Sequence, residues 1–187
     1  MSGAGHIDPT NKKIALLIAV LALVLAFSET LGKGSQTAAL SHNIEASNLW
    51  AFFQAKTLRM TTIRTAAESL EMEVLQTTNR DAREAMEKRI ADWKKTAARY
   101  ESEPETNEGR KELAARAKAT EGKRDRSLAA YHHFEVASGA VQIAIVLASA
   151  AIITGTAALT WIAGALGLLG IGFSMIGFFW PMVIHLF

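Results

Sequence analysis

Residues 136–187 contain no Lys, Arg, Asp or Glu. That run far exceeds the ~20 apolar residues needed to cross ~30 Å of hydrocarbon. It has room for two membrane spans joined by a tight turn. A soluble core cannot hide it, because the rest of the chain is too polar to cover it. A second charge-free run, 14–27, lies near the N-terminus, and nearly all the charge falls between Lys33 and Glu135. Whole-chain averages of 50% hydrophobic and 20% charged residues conceal this segregation.

The boundaries follow from the flanks. Lys12 and Lys13 precede the first apolar run, which fits a signal peptide. No A-x-A site follows cleanly in "SETLGKGSQTAA", so 14–31 is expected to be an uncleaved transmembrane helix, with Lys12, Lys13 and Lys33 snorkelling at its ends. The expected organisation is a polar tail 1–13, a span 14–31, a helical extramembrane domain 32–136, spans 137–157 and 160–181, and a tail 182–187. The fold class is an all-α integral membrane protein with three transmembrane helices.

The formal net charge is only +2, with acids and bases interleaved. A nucleic-acid surface would need a basic stripe with few acids, so no nucleic-acid partner is expected. The chain has no cysteine, which excludes disulfides, thiol nucleophiles and Cys-ligated metals.

The middle segment is rich in Ala, Glu, Lys, Arg, Met and Leu, the strong helix formers. Arg83–Glu87 and Glu84–Lys88 stand at i,i+4, where opposite charges lie side by side. Pro104 in "EPETNEG" stops one helix, and Thr106 or Asn107 is placed to cap the next. "QTTNRD" is a weaker break. Leu49, Phe53, Met60, Ile63, Ala67, Leu70 and Val74 share one helix face, interrupted by Lys56. Chain length favours an antiparallel hairpin of 80–103 against 108–136. Residues 35–78 are then expected to lie on the membrane surface or fold back on themselves. In that arrangement Trp50, Phe52, Phe53 and the Leu49–Val74 face are surplus apolar surface, available to a membrane or an oligomer.

The last two spans carry ridges of small residues: Ala137, Ala140, Ala144, Ala148, Ala151 and Gly155 on one, and Ala163, Gly167, Gly170, Ser174 and Gly177 on the other. In lipid, small residues let backbones approach and gain van der Waals contact, so the pair reads as a tight helical hairpin. Trp161 and Trp180, ~28 Å apart along a helix, mark its two interfaces.

Few residues suggest chemistry. His42 with Glu45 and His132 with Glu135 each share a helix face at i,i+3, and are weak metal-ligand candidates beside the plainer reading as interfacial polar groups. Di-iron bundles use Glu-x-x-His with further inward carboxylates; here the order is reversed and the supporting carboxylates are not evident. Tyr131, His132 and His133 suit headgroup depth. Glu29, Gln142 and Ser149 are polar groups within or at the end of spans, and are candidates for pore lining. "GALGLLGIG" lies inside a span, where glycine serves packing rather than phosphate binding. No catalytic residue and no cofactor are expected.

Basic residues give conflicting orientations. Lys12 and Lys13 favour a cytoplasmic tail, whereas Lys118, Lys123, Arg124 and Arg126 favour a cytoplasmic middle domain. The flanks of the middle domain hold more basic residues, which favours the second, with His185 also inside.

The stretches "AALSHNIEASNLWAFFQAKTLRMTTIRTAAE", "YESEPETNEGRKELAARAKATE" and "YHHFEVASGAVQIAIVLASAAIITG" resemble the bacterial family of domain of unknown function 4337, from about Lys12 to Phe179. The resemblance implies a bacterial inner-membrane protein with three spans around a helical middle. It supplies no activity, ligand or catalytic residue. The functional expectation is a non-enzymatic homo-oligomeric scaffold in the lipid bilayer. The alternatives are an oligomeric ion or small-solute channel and a metal-binding enzyme at the His/Glu pairs.

Overall fold

Helix-forming composition and two breaks set the architecture. A computed structural model describes residues 9–184, which form four α-helices: α1 Pro9–Gln76, α2 Arg80–Glu101, α3 Arg110–Thr154 and α4 Ala157–Phe179. No strand occurs among the described residues. The extreme N-terminal tail and His185 lie outside them. Helices α1, α3 and α4 are long and apolar enough to cross a membrane.

The first correction concerns α1. Residues 14–31 are not a separate helix followed by a folded-back segment; α1 continues unbroken through Gly32 and Gly34 to Gln76. Glycine inside a helix costs only ~1 kcal/mol relative to alanine, which neighbouring helical residues can offset. Gly32 is also buried, and a Cβ there would stand 3.3 Å from Phe134 Cβ.

The chain divides into two compact units, one of residues 41–122 and one of residues 1–40 with 123–187. In the first, the inward residues of α1 are Ala46, Leu49, Lys56, Met60, Ala67 and Val74, with Phe53, Ile63 and Leu70 half-buried between them. Their alternating three- and four-residue steps are the seven-residue pattern of a coiled coil. Two helices share this seam. Ile90 of α2, with Met86 and Trp93, packs on Ala67, Leu70 and Val74. Leu113 and Ala117 of α3 pack on Leu49, Trp50 and Phe53. Both run antiparallel to α1: Lys94 pairs with Glu71 and Arg64 with Glu101, while Trp50 meets Glu121 and Thr57 meets Arg110.

Thus α2 and the start of α3 line up one after the other along α1. Residues 41–76 of α1 and the two partner segments together each span roughly 50 Å at ~1.5 Å per residue. The expected hairpin of 80–103 against 108–136 is not formed, because the apolar faces of both segments are turned to α1. The Leu49–Val74 face is consequently not surplus surface.

Asn79 caps α2 by accepting from the Ala82 N–H at 3.1 Å. At the other break, neither Thr106 nor Asn107 caps α3. Asn107 adopts φ +55°, a conformation asparagine tolerates better than most residues. Glu112 organises this turn, accepting from the Ser102 hydroxyl at 2.6 Å and the Glu103 N–H at 3.2 Å. Gly109 is required here, since a Cβ would fall 2.7 Å from Ser102 Cα.

The second unit is built on small residues. Ala144, Ala148, Ala151 and Ala163 enclose Ile14, Leu21 and Val141. Gly155 at φ +68° ends α3, its N–H bonding to the Ala151 carbonyl at 2.9 Å, as glycine commonly does past a helix C-terminus.

Candidate functional site

Each residue singled out from the sequence has a definite setting. His42 and Glu45 approach at 3.8 Å in one unit, and His132 and Glu135 at 3.6 Å in the other. Each is an i,i+3 pair on one helix, and Glu135 also accepts from the Tyr131 hydroxyl at 3.3 Å. Among the described residues no group of three or more His, Asp or Glu converges as a metal site would require.

The adjacent histidine is set inside the protein. His133 is fully buried. Its ring stacks on Phe173 of α4 with centroids 6.2 Å apart, and its Nε2 lies 3.2 Å from the Pro181 carbonyl. A carbonyl only accepts, so Nε2 carries the proton and donates. The signal available in the sequence was slight: Pro181 stands just past a helix end, where backbone carbonyls have no helical donor. Gly177 makes this possible, because a Cβ there would sit 2.9 Å from His133 Cβ.

Among the aromatics, Trp50 and Phe53 are half-buried against α3. The Trp50 indole donates to Glu121 Oε1 at 2.9 Å. Phe52 remains partly exposed beneath the Lys56 ammonium, 5.3 Å from its ring centroid. Lys56 is itself buried in the seam, between the rings of Phe52 and Tyr100 and 3.7 Å from Glu108. Trp50 and Phe53 therefore help hold the 41–122 unit together, while Phe52 stays on its surface. Trp161 and Trp180 of the apolar unit are exposed.

The helix-packing residues Ala144, Ala148, Gly167 and Gly170 are all buried. Gly167 admits Leu21 of α1, whose Cδ2 would stand 2.5 Å from a Cβ, and Gly170 admits Val141 of α3. A polar pair also crosses this interior: the hydroxyls of Ser28 and Ser174 are 2.8 Å apart.

The pore-lining candidates separate into two kinds. Gln142 donates to Glu29 Oε1 at 3.2 Å, and both side chains are exposed on the outside of the apolar unit. Ser149 instead donates to its own helix, to the Ile145 carbonyl at 2.8 Å.

The surface around these residues is inverted relative to a soluble bundle. Alanine and glycine make up most of the buried positions, while Leu23, Phe27, Ile143, Val146, Ile153 and Leu168 face outward. Ile153 is 86% exposed and Leu168 72%.

The family model for a domain of unknown function, DUF4337, matches residues 10–180. The chain belongs to the DUF4337 family. No curated protein and no solved structure matches it. The functional reading of this DUF4337 chain therefore rests on its own geometry.

Proposed function

We propose that this DUF4337 protein is a non-enzymatic, multi-pass membrane protein that assembles with copies of itself into a scaffold in the bacterial inner membrane, displaying its coiled-coil unit on the cytoplasmic side. The supporting observation is the inverted packing of the apolar unit. Large apolar side chains on all three helices face outward, far beyond the few hundred Å² typical of a soluble monomer's patches, while close helix contacts use small residues as in lipid. Resistance of the membrane-bound protein to alkaline carbonate extraction tests the insertion. Native mass spectrometry of the detergent-solubilised particle tests the assembly, and a persistent monomer in native-like lipid would refute it. A single Asn79→Cys, labelled on intact cells with a membrane-impermeant reagent, would refute the cytoplasmic placement.

One observation favours a second reading, an oligomeric channel. The Glu29–Gln142 pair is exposed on the apolar unit, and polar groups within a membrane normally face protein or water. Ion flux in liposomes that Gln142→Leu leaves unchanged would count against that lining.

A further inference from the structure

Along residues 41–76 of α1 the seven-residue pattern occurs twice. One stripe faces α2 and α3. The other lies on the opposite side at Ile44, Ala51, Leu58, Thr65 and Met72, all of them exposed, Leu58 to 70%. Outward positions of a helical pair meet water and are ordinarily charged. On α2 they are: Glu84, Lys88, Asp92, Lys95 and Arg99 are all exposed. On α1 the exposed positions beside the outer stripe are Ser, Thr, Ala, Asn, Gln and Leu, and Glu68 is the one charge on that face. The remaining charges of the segment run along its edges or point inward. Two hydroxyls on the face already have acceptors: Thr61 donates to the Thr57 carbonyl at 3.0 Å and Thr62 to the Leu58 carbonyl at 2.9 Å. Covering these two leaves neither donor unpaired, and the Thr65 hydroxyl on the stripe would face its own counterpart, with which it can exchange a hydrogen bond.

We infer that this face packs against the same face of a second copy, parallel and in register. The inference rests on the membrane-anchored oligomer reading, because copies in one bilayer are related by rotation about its normal and their α1 helices run the same way. In a two-fold pair each stripe residue meets its own counterpart, Leu58 on Leu58. A face of like charges would repel itself there; this one carries a single charge, Glu68. A seven-residue period keeps the two stripes facing each other along the whole segment. The strip is roughly 50 Å long and ~10 Å wide, so two copies bury roughly 1,000 Å², the lower bound for a specific interface. A bilayer surface fits less well. Helices that lie on lipid carry Lys and Arg along their polar face, whereas the exposed charges nearest this stripe are of both signs, Glu45, Glu68 and Glu73 with Arg59 and Arg64.

The native chain has no cysteine, so single cysteines report directly. Full-length Leu58→Cys protein in its own membranes, treated with a mild oxidant, is expected to form a disulfide-linked dimer. Lys95→Cys on the outer face of α2 is expected to stay monomeric on gels. Leu58→Glu should weaken self-association roughly tenfold or more with thermal loss of helix unchanged. An oligomer by native mass spectrometry in which Leu58→Cys fails to link would overturn this face and leave the scaffold reading standing. A monomer by the same measurement would overturn both. Linkage between Ile44→Cys and Met72→Cys in mixed samples would replace the parallel arrangement with an antiparallel one. Quenching of a fluorophore on Leu58→Cys by nitroxide-labelled phosphatidylcholine and phosphatidylglycerol would assign the face to lipid.

Discussion

Lys56 occupies a seam position where an apolar residue would be ordinary. Its ammonium is buried between two rings with one carboxylate at 3.7 Å, and burying an ion pair often stabilises less than a well-packed apolar residue of similar volume. Lys56→Met should therefore leave the thermal midpoint of residues 41–122 unchanged or raise it, by up to about 1 kcal/mol of stability. Circular dichroism on the purified protein reads this directly, and a large loss would mean the charge fixes the alignment of α2 and α3 on α1. Glu112 makes the opposite case. The Ser102 hydroxyl, aided by the Glu103 N–H, holds its carboxyl below the usual carboxylate range. A depressed folded value contributes stability above the unfolded value and loses it as the pH falls through the folded one. Glu112→Gln should therefore melt lower than wild type at neutral pH, and the gap should close as the pH falls below the usual carboxylate range. Neither role was legible in advance. The sequence shows Lys56 interrupting an apolar face, but not the rings above and below it, and Glu112 is one acid among many.

At the scale of elements, the breaks at 77–79 and 102–109 are written in Asn, Thr, Pro and Gly, and the helices between them in composition. The pairing of helices is not written there. The Leu49–Val74 face is plain to read, yet α2 and α3 each present a matching stripe, and spacing alone does not say whether they meet each other or α1. Equal lengths and the tight turn under Glu112 settle it in favour of α1. The small-residue ridges read more directly, because a glycine on a membrane helix has few uses besides close approach. Position along the ridge then matters more than composition. A Cβ at Gly170 meets Val141 and stands 3.1 Å from the Ala137 carbonyl, a backbone atom that cannot swing away, whereas a Cβ at Gly172 meets nothing within 4 Å. Gly170→Ile should cost about 1–3 kcal/mol by overpacking. Gly172→Ile should be neutral or better, since it replaces a poor helix former. Thermal melts of the two variants in one detergent compare them.

At the scale of the molecule, two units are held by different forces while sharing α1 and α3. The 41–122 unit is a coiled coil whose seam is closed by removing apolar surface from water, and urea weakens that effect. On the multi-pass reading proposed above, the apolar unit is solvated by lipid or detergent, gains nothing from water exclusion between its helices and relies on close packing. Tryptophan is distributed so that each can be followed: Trp50 and Trp93 lie in the first, Trp161 and Trp180 in the second. A Trp161→Phe, Trp180→Phe protein in micelles should lose its buried emission at low urea, together with part of the helical signal. A Trp50→Phe, Trp93→Phe protein should show no emission change over that range. Coincident transitions in the two proteins would mean that the unbroken α1 couples the units into one cooperative body, so that an event at the coiled coil is felt at the spans. Separate transitions would make the coiled coil a module that can open while its anchor stays folded.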